Sequence, residues 1–458
     1  MAYRLWEVMK RSKNGEFMEE KEYLHKRLIP GIAGVVKKYN IKYDRSNPVP
    51  SDDELADRIW QAAREFFLTV GVYNQDTHRI IKFSEEELNE ALYSAPSQHL
   101  VGEGKDARIF GHRQVEDKRP PFVIYSPDIT YDEENFLSIC LAYLKEPLLD
   151  GLCAPVLEQF MGMKITSRHP VELGGSMHHA MSLREAARLV GRPGVFFVAV
   201  GTAESDVGQI HVSDPNWGIR PSDGRLVGSI TEFMTNNSML NKATHYQQYG
   251  SFGGSLTGAI FGGYAGGAEG TAVLETAYHL KGLMVHQCQF QQNFPFHLKY
   301  GANTTRELLW VVSMYSQAIA RNTHLVQDSN GFSIAGPGTD MLYYEAAAHS
   351  IASTVSGANL WENAPAMNKY HNRGTPLECR LSAEVGHAVA VQGMTRKEAN
   401  EIVNKLLAKY EDKVDNPPLG KTYQEMYDIN RAEPHVEYMD QFKRIKEELS
   451  GMGIKFLF

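Results

Sequence analysis

Aromatic and amide side chains crowd a few short segments of this chain. Phe196 and Phe197 precede Val198, and His245, Tyr246, Gln247, Gln248 and Tyr249 run together. Gln289, Phe290, Gln291, Gln292, Asn293 and Phe294 follow, then His297, Asn330 and Phe332. Carboxylates are few in these segments, with Asp328 and Glu362 the candidates. Such a lining suits a neutral or cationic organic ligand, because ring faces attract cations and amides orient polar atoms. It does not suit a divalent metal, which wants several hard oxygen ligands or histidines at set spacing. No G-x-S-x-G and no H-E-x-x-H occurs, which disfavours a serine hydrolase and a zincin. His178 and His179 are adjacent, so neither a helix nor a strand turns both to one ligand, and a structural role is expected.

A second feature is GSFGGSLTGAIFGGYAGGAEG, Gly250–Gly270. So dense a glycine cluster means positive φ or close approach by another group. A wide turn with a packing contact and the rim of a binding site both fit. The stretch lacks G-K-[ST], so it is no phosphate-binding P-loop.

The elements that must position these groups alternate. Short apolar runs at Phe122–Tyr125, Leu148–Leu152, Val195–Val200, Lys242–Gln247, Leu283–Gln289, His324–Asp328 and Ala358–Glu362 read as strands, with one more expected near Leu256–Phe261. Between them lie helical patterns at Phe136–Lys145, Ser182–Val190, Thr271–Lys281, Arg306–Ala320 and Asp340–Val355. This order predicts an α/β fold, a TIM-like (β/α)8 barrel over residues 121–393, with the site at the C-terminal strand ends. No G-x-G-x-x-G follows the first strand, so the Rossmann marker is missing.

A helical extension, 1–120, precedes the barrel, with capping boxes expected at Ser51–Glu54 and Ser84–Glu87. Its polar end, Gly102–Arg119, reads as a solvated loop. A helical segment, 394–458, follows, with Ala399–Tyr410 behind the Thr395–Glu398 box, a loop at Asn416–Gly420, and Tyr423–Ser450 completing the tail. Both ends are expected to pack outside the barrel in one compact unit, or against a neighbouring subunit.

The chain has 458 residues, is 43% hydrophobic and carries net charge −8 with no block of like charge, so a nucleic-acid footprint is not expected. Cys140, Cys153, Cys288 and Cys379 lie far apart and read as free thiols in a reducing compartment. Charges recur every few residues at the N-terminus, and no long uncharged apolar window follows, so a cytoplasmic protein without a membrane span is expected.

Several segments resemble the monomethylamine:corrinoid methyltransferases of methylotrophic methanogens: GVYNQDTHRIIKFSEEEL (71–88), GRPGV (191–195), IFGGYAGGAE (260–269), NTTRELL (303–309), AGPGTDM (335–341), ECRLSAEVG (378–386) and GKTYQEMYDI (420–429). The resemblance implies a TIM-like barrel in a homohexamer. It also implies methyl transfer from a methylamine to the Co(I) of a separate corrinoid (cobalamin) protein docked at the barrel mouth, with Gly262, Gly263, Tyr264 and Gly266 on the docking rim. No D-x-H-x-x-G corrinoid-binding motif is on this chain, so the cofactor must come with the partner.

The family's hallmark is pyrrolysine, and the spacing from GRPGV to Gly208 puts that position at Val198. The family's glutamate beside the pyrrolysine ring falls at Leu256, and its pocket glutamine and tyrosine fall at Asn330 and Phe332. Val198 can form no adduct with an amine. The resemblance therefore implies a pyrrolysine-independent enzyme acting on a donor that already has a good leaving group, a quaternary or protonated ammonium. Phe196, Phe197, Tyr246, Tyr249 and Phe332 are the candidates for a cation cage, and His245, Gln289 and Gln291 for further substrate contacts. Another methyl donor on the same barrel, and a non-catalytic relative that binds an amine or a corrinoid protein, are the alternatives.

Overall fold

The computed structural model describes residues 2–153 and 155–457. Eight parallel strands alternate with eight helices between residues 123 and 391. They are β1 (Val123–Tyr125), α1 (Phe136–Leu144), β2 (Gly151–Leu152), α2 (Pro170–Leu189), β3 (Phe196–Phe197), α3 (Asp206–His211), β4 (Gly224–Gly228) and α4 (Asn237–Tyr249). The second half is β5 (Phe252–Thr257), α5 (Ala268–Met284), β6 (Phe290–Asn293), α6 (Arg306–Asn322), β7 (Val326–Phe332), α7 (Asp340–Val355), β8 (Asn359–Ala364) and α8 (Pro376–Val391).

The hydrogen-bonded order β3-β2-β1-β8-β7-β6-β5-β4 follows the chain around a ring. A parallel bridge between Val198 and Gly224 joins its two ends. The fold is thus the expected (β/α)8 barrel.

Two of its strands differ from the sequence reading. Lys242–Gln247 lies inside helix α4, where Leu240, Ala243 and Tyr246 form the buried face at helical spacing. Asn236 caps that helix by accepting from Met239 N, and Gly250 ends it at φ 86°. The missing strand is β4, whose GRLVG offers little apolar signal. β6 also begins beyond the expected Leu283–Gln289, because Leu283 and Met284 finish α5.

Outside the barrel, Asp53–Val70 packs on α5 and α6. Its N-cap is Asp52, accepting from Leu55 N at 2.9 Å, one residue later than expected. The boxes at Ser84 and Thr395 form as expected. The helical pattern read at Ser182–Val190 begins earlier, since α2 runs through Ser182 from Pro170. Tyr423–Ser450 divides into Tyr423–Met426 and Val436–Gly451, around the short strand Glu433–Pro434.

Gly102–Arg119 is more than a solvated loop. Strands Gln98–Val101 and Arg108–Gly111 pair antiparallel. Their Phe110 stacks on Phe122 at 4.5 Å and meets Phe290 at 5.3 Å, plugging the N-terminal end of the barrel. Among the described residues no helix is long and apolar enough to cross a membrane.

Candidate functional site

Alternation along each strand decides which side chains reach the barrel interior. On β7, Gln327 bonds outward to Ser316 O and Ser329 bonds outward to Tyr315 Oη, so Asp328 and Asn330 point inward. On β6, Gln291 lies against Gly282 of α5 and Asn293 reaches Glu275 of α5, so Gln292 points inward. On β5, a Cβ at Gly253 would strike the Tyr246 ring of α4 and one at Gly254 would strike the Phe290 ring, each at 2.3 Å. Gly254 and Leu256 therefore share the inner face. Gly228, Leu256, Gln292 and Asp328 stand in register, one inward row across four strands.

That row borders open space. A Cβ at Gly228 would meet nothing nearer than Leu256 Cδ2 at 4.0 Å, and Leu256 itself is only half-buried. Below the row, Ile124, Phe196, Val198, Phe290, Val326 and Trp361 form one packed interior cluster. Above it, Phe294, Phe296 and Phe332 make a three-ring group, with Phe296 and Phe332 edge-on at 4.7 Å.

Several expected site residues lie elsewhere. Phe196 belongs to the packed floor, 6.2 Å from Phe122. Phe197 faces outward under the Arg184 guanidinium, 4.7 Å from the ring centre. His245, Tyr246 and Tyr249 sit on α4, outside the barrel. His245 pairs with Ser213 Oγ at 2.6 Å, Tyr246 donates to His286 O, and Tyr249 donates to Ile219 O at 3.0 Å. Gln289 lies below β6, accepting from Gly253 N at 2.6 Å, and Gln291 donates to Cys288 O at 3.3 Å behind the strand. Glu362 is paired outward with His349 at 2.6 Å. The five-residue cation cage is therefore not assembled; of its members, Phe332 alone stands at the mouth, with Phe294 and Phe296.

The glycine-rich stretch combines close approach with positive φ. Its first half is strand β5, where glycine admits the Tyr246 and Phe290 rings. Its second half is a rim loop with Gly262 and Gly266 at φ 85° and 74°. Gly263, Tyr264 and Gly266 border a cavity of about 490 Å³ together with Ile260, Leu274 and Leu298. Tyr264 is 40% exposed and Leu298 65%, so the rim presents apolar surface to solvent.

A model of the family described as monomethylamine methyltransferase MtmB matches residues 3–454. The chain belongs to this family. Relatives in the MtmB family include MtmB1 of Methanosarcina acetivorans, 29% identical with 99% of each chain covered, and MtmB of Methanosarcina mazei, 28% identical with the same coverage. The crystal structure of Methanosarcina barkeri MtmB superimposes with TM-score 0.95 at 28% identity, covering 99% of this chain and 98% of that one. A solved hydroxylamine complex of MtmB gives the same TM-score and identity.

This MtmB-family barrel also carries polar groups that the sequence did not single out. Ser126 donates to Asp128 Oδ1 at 2.5 Å, and Asn330 Nδ2 donates to Asp128 Oδ2 at 3.0 Å. Burial raises the Asp128 carboxyl above its usual range, and burial, then Asp128, raises the Cys153 thiol. Their position just past β1 and β2 was the available signal, since barrel sites collect at strand ends. Among the described residues no group of three or more His, Cys, Asp or Glu could hold a metal ion.

Proposed function

We propose that the protein transfers a methyl group from a cationic N-methylated amine, quaternary or protonated, to the Co(I) of a separate corrinoid protein, without pyrrolysine. The observation that carries this reading is the inner lining. The spacing-matched positions Val198, Leu256 and Asn330 offer an alkyl group, an alkyl group and an amide, none of which forms an adduct with an amine. Phe332, the fourth, offers a ring without a hydroxyl. Full-length family membership supports the reaction class.

Without an adduct, the donor itself must carry the leaving group. In a quaternary ammonium the C–N bond breaks with its electron pair staying on nitrogen, which departs as a neutral amine. The methyl carbon accepts the Co(I) electron pair, giving methyl-Co(III) on the partner. The barrel contributes position and water exclusion. Phe294, Phe296 and Phe332 supply ring faces near the mouth, worth about 0.5–2 kcal/mol each to a cation. The apolar rim at Tyr264 and Leu298 supports docking of the corrinoid protein there.

No tightly bound cofactor on this chain is part of the reading. The resemblance leads us to a homohexamer, and the free cysteines to a reducing, cytoplasmic setting. The test mixes purified protein, reduced corrinoid protein and a panel of methylated amines. Methyl-Co(III) absorbance with a cationic donor is expected. Silence with every donor overturns the proposal, and efficient transfer from unprotonated methylamine overturns the leaving-group argument.

A further inference from the structure

Asp328 is an anomaly among the buried acids of this chain. It is 0% exposed, and neither carboxylate oxygen has a hydrogen-bond partner. The other deeply buried acids are anchored. Glu275 accepts from Ala259 N and Asn293 Nδ2, Glu345 accepts from Ile334 N and Ala335 N, and Glu172 accepts from Ser205 N and Oγ. Glu362, with one oxygen unpartnered, still pairs with His349 through the other. Among the described residues, Asp328 is the buried carboxylate with both oxygens orphaned.

Its neighbours in the interior are orphaned too. Gln292, its Cα partner on β6, has both amide atoms unpartnered, and Asn330 Oδ1 and Trp361 Nε1 are likewise without partners. All three are at most 1% exposed. Buried polar atoms are nearly always satisfied, so four such side chains turned into one interior mark a place that a ligand completes. The open space beside Gly228 and Leu256 lies on the same row.

Resting on the methyl-transfer reading above, we propose that the donor's ammonium is seated in the barrel interior beside Gln292, with the Asp328 carboxylate as its counter-ion.

An unpaired charge in this interior is costly, and burial alone holds the Asp328 carboxyl well above its usual range. Burial favours the protonated acid, so in the proposed site Asp328 carries its proton until a cation arrives. A permanent cation then takes the place of the proton, which is released. Behind β7 stand Tyr315 on α6 and, on α7, His349, which bonds Ser329 Oγ and is paired with Glu362; Asp128 and Cys153 lie toward the mouth, and no basic group is paired with Asp328. Once the methyl has left, the amine is neutral and the attraction that held it is gone. Asp328 therefore favours donor over product, which helps the product leave.

The test is binding to the full-length chain without any corrinoid protein, so that its outcome is independent of whether methyl transfer occurs. Calorimetric titration uses the series from methylammonium to tetramethylammonium, with tert-butanol as an uncharged probe of similar shape. Binding of at least one cation is expected, weakened at least tenfold in Asp328→Asn, while tert-butanol affinity stays unchanged. Equal cation affinity in a cooperatively melting Asp328→Asn protein, or no cation bound by the unmodified chain, overturns the proposal. If the variant does not fold, infrared difference spectra of the unmodified chain decide. Loss of a protonated-carboxyl band on cation binding supports the assignment, and no loss at saturation overturns it.

Discussion

Gln292 and Asp328 stand side by side on neighbouring parallel strands, yet neither side chain bonds to the other or to any described residue. An amide and an acid at that separation could satisfy each other. That they do not leaves both turned into the barrel interior, on the row that borders the open space beside Gly228 and Leu256.

A counter-ion stabilises the bound cation more than a transition state in which the positive charge is leaving nitrogen. Asp328 should therefore act on donor binding and not on the chemical step. Asp328→Asn should raise KM for a cationic donor by about tenfold or more, the loss of one close charge partner in a partly desolvated site. The kcat should stay level or rise, since ground-state stabilisation has been removed. Steady-state methyl transfer to the corrinoid protein measures both. A fall in kcat at unchanged KM contradicts this division of labour.

Val198 should be chemically silent. It lies in the packed interior cluster with no polar function, so Val198→Ala removes apolar contact and nothing else. Stability should drop by about 1–2 kcal/mol, from lost burial plus a small cavity. On the proposed reading, in which positioning and not an adduct carries the reaction, turnover should stay within about threefold. Denaturant unfolding and the methyl-transfer assay read the two quantities, and a hundredfold loss of turnover in a folded variant argues for a direct role.

The barrel was legible in the sequence because its alternation of short apolar runs and amphipathic segments survives imprecise boundaries. The inner lining was not legible to the same degree. Facing depends on single-residue register, and a one-residue shift turns every side chain over. Reading β6 as Leu283–Gln289 brought Gln289 and Gln291 to the mouth, whereas the strand at Phe290–Asn293 turns Gln292 inward. Thr244–Tyr249 is rich in residues that favour strands, but the cap at Asn236 and the left-handed Gly250 make it the end of a helix. That one reassignment removes His245, Tyr246 and Tyr249 from the interior. Asp328 was recognisable as a rare carboxylate near a strand end; its lack of partners became visible only in three dimensions.

Two glycines on adjacent strands should respond oppositely to a methyl group. At Gly254 a Cβ would lie 2.3 Å from the Phe290 ring, which is fixed in the floor. Gly254→Ala should cost about 1–3 kcal/mol through overpacking. At Gly228 a Cβ has only Leu256 within 4.0 Å, so Gly228→Ala should leave stability within about 1 kcal/mol. Its methyl projects into the open space beside Leu256 and should weaken donor binding. Urea midpoints and donor titrations distinguish the two, and equal destabilisation by both substitutions contradicts an open interior beside Gly228.

Stability should carry a measurable signature of the buried acid Glu275. Burial raises its carboxyl to about 8, despite the opposing bonds from Ala259 N and Asn293. Its unfolded-state value is near the ordinary 4.5. Between these values the folded chain keeps a proton that the unfolded chain has lost. The stabilisation from this proton is full below about pH 4.5, and it is lost as the pH rises toward 8. The buried histidines act in the opposite sense below about pH 6.5, because burial lowers His179 and His286 to about 3 and His279 to about 4. The informative quantity is therefore the difference between the unmodified chain and Glu275→Gln. The amide keeps the acceptor for Ala259 N, and Asn293 Oδ1 is unpartnered, so rotation of that amide receives the new donor. The variant should lose stability less steeply than the unmodified chain between pH 5 and 8. Parallel curves of unfolding free energy over that window would mean that Glu275 does not retain its proton in the folded barrel.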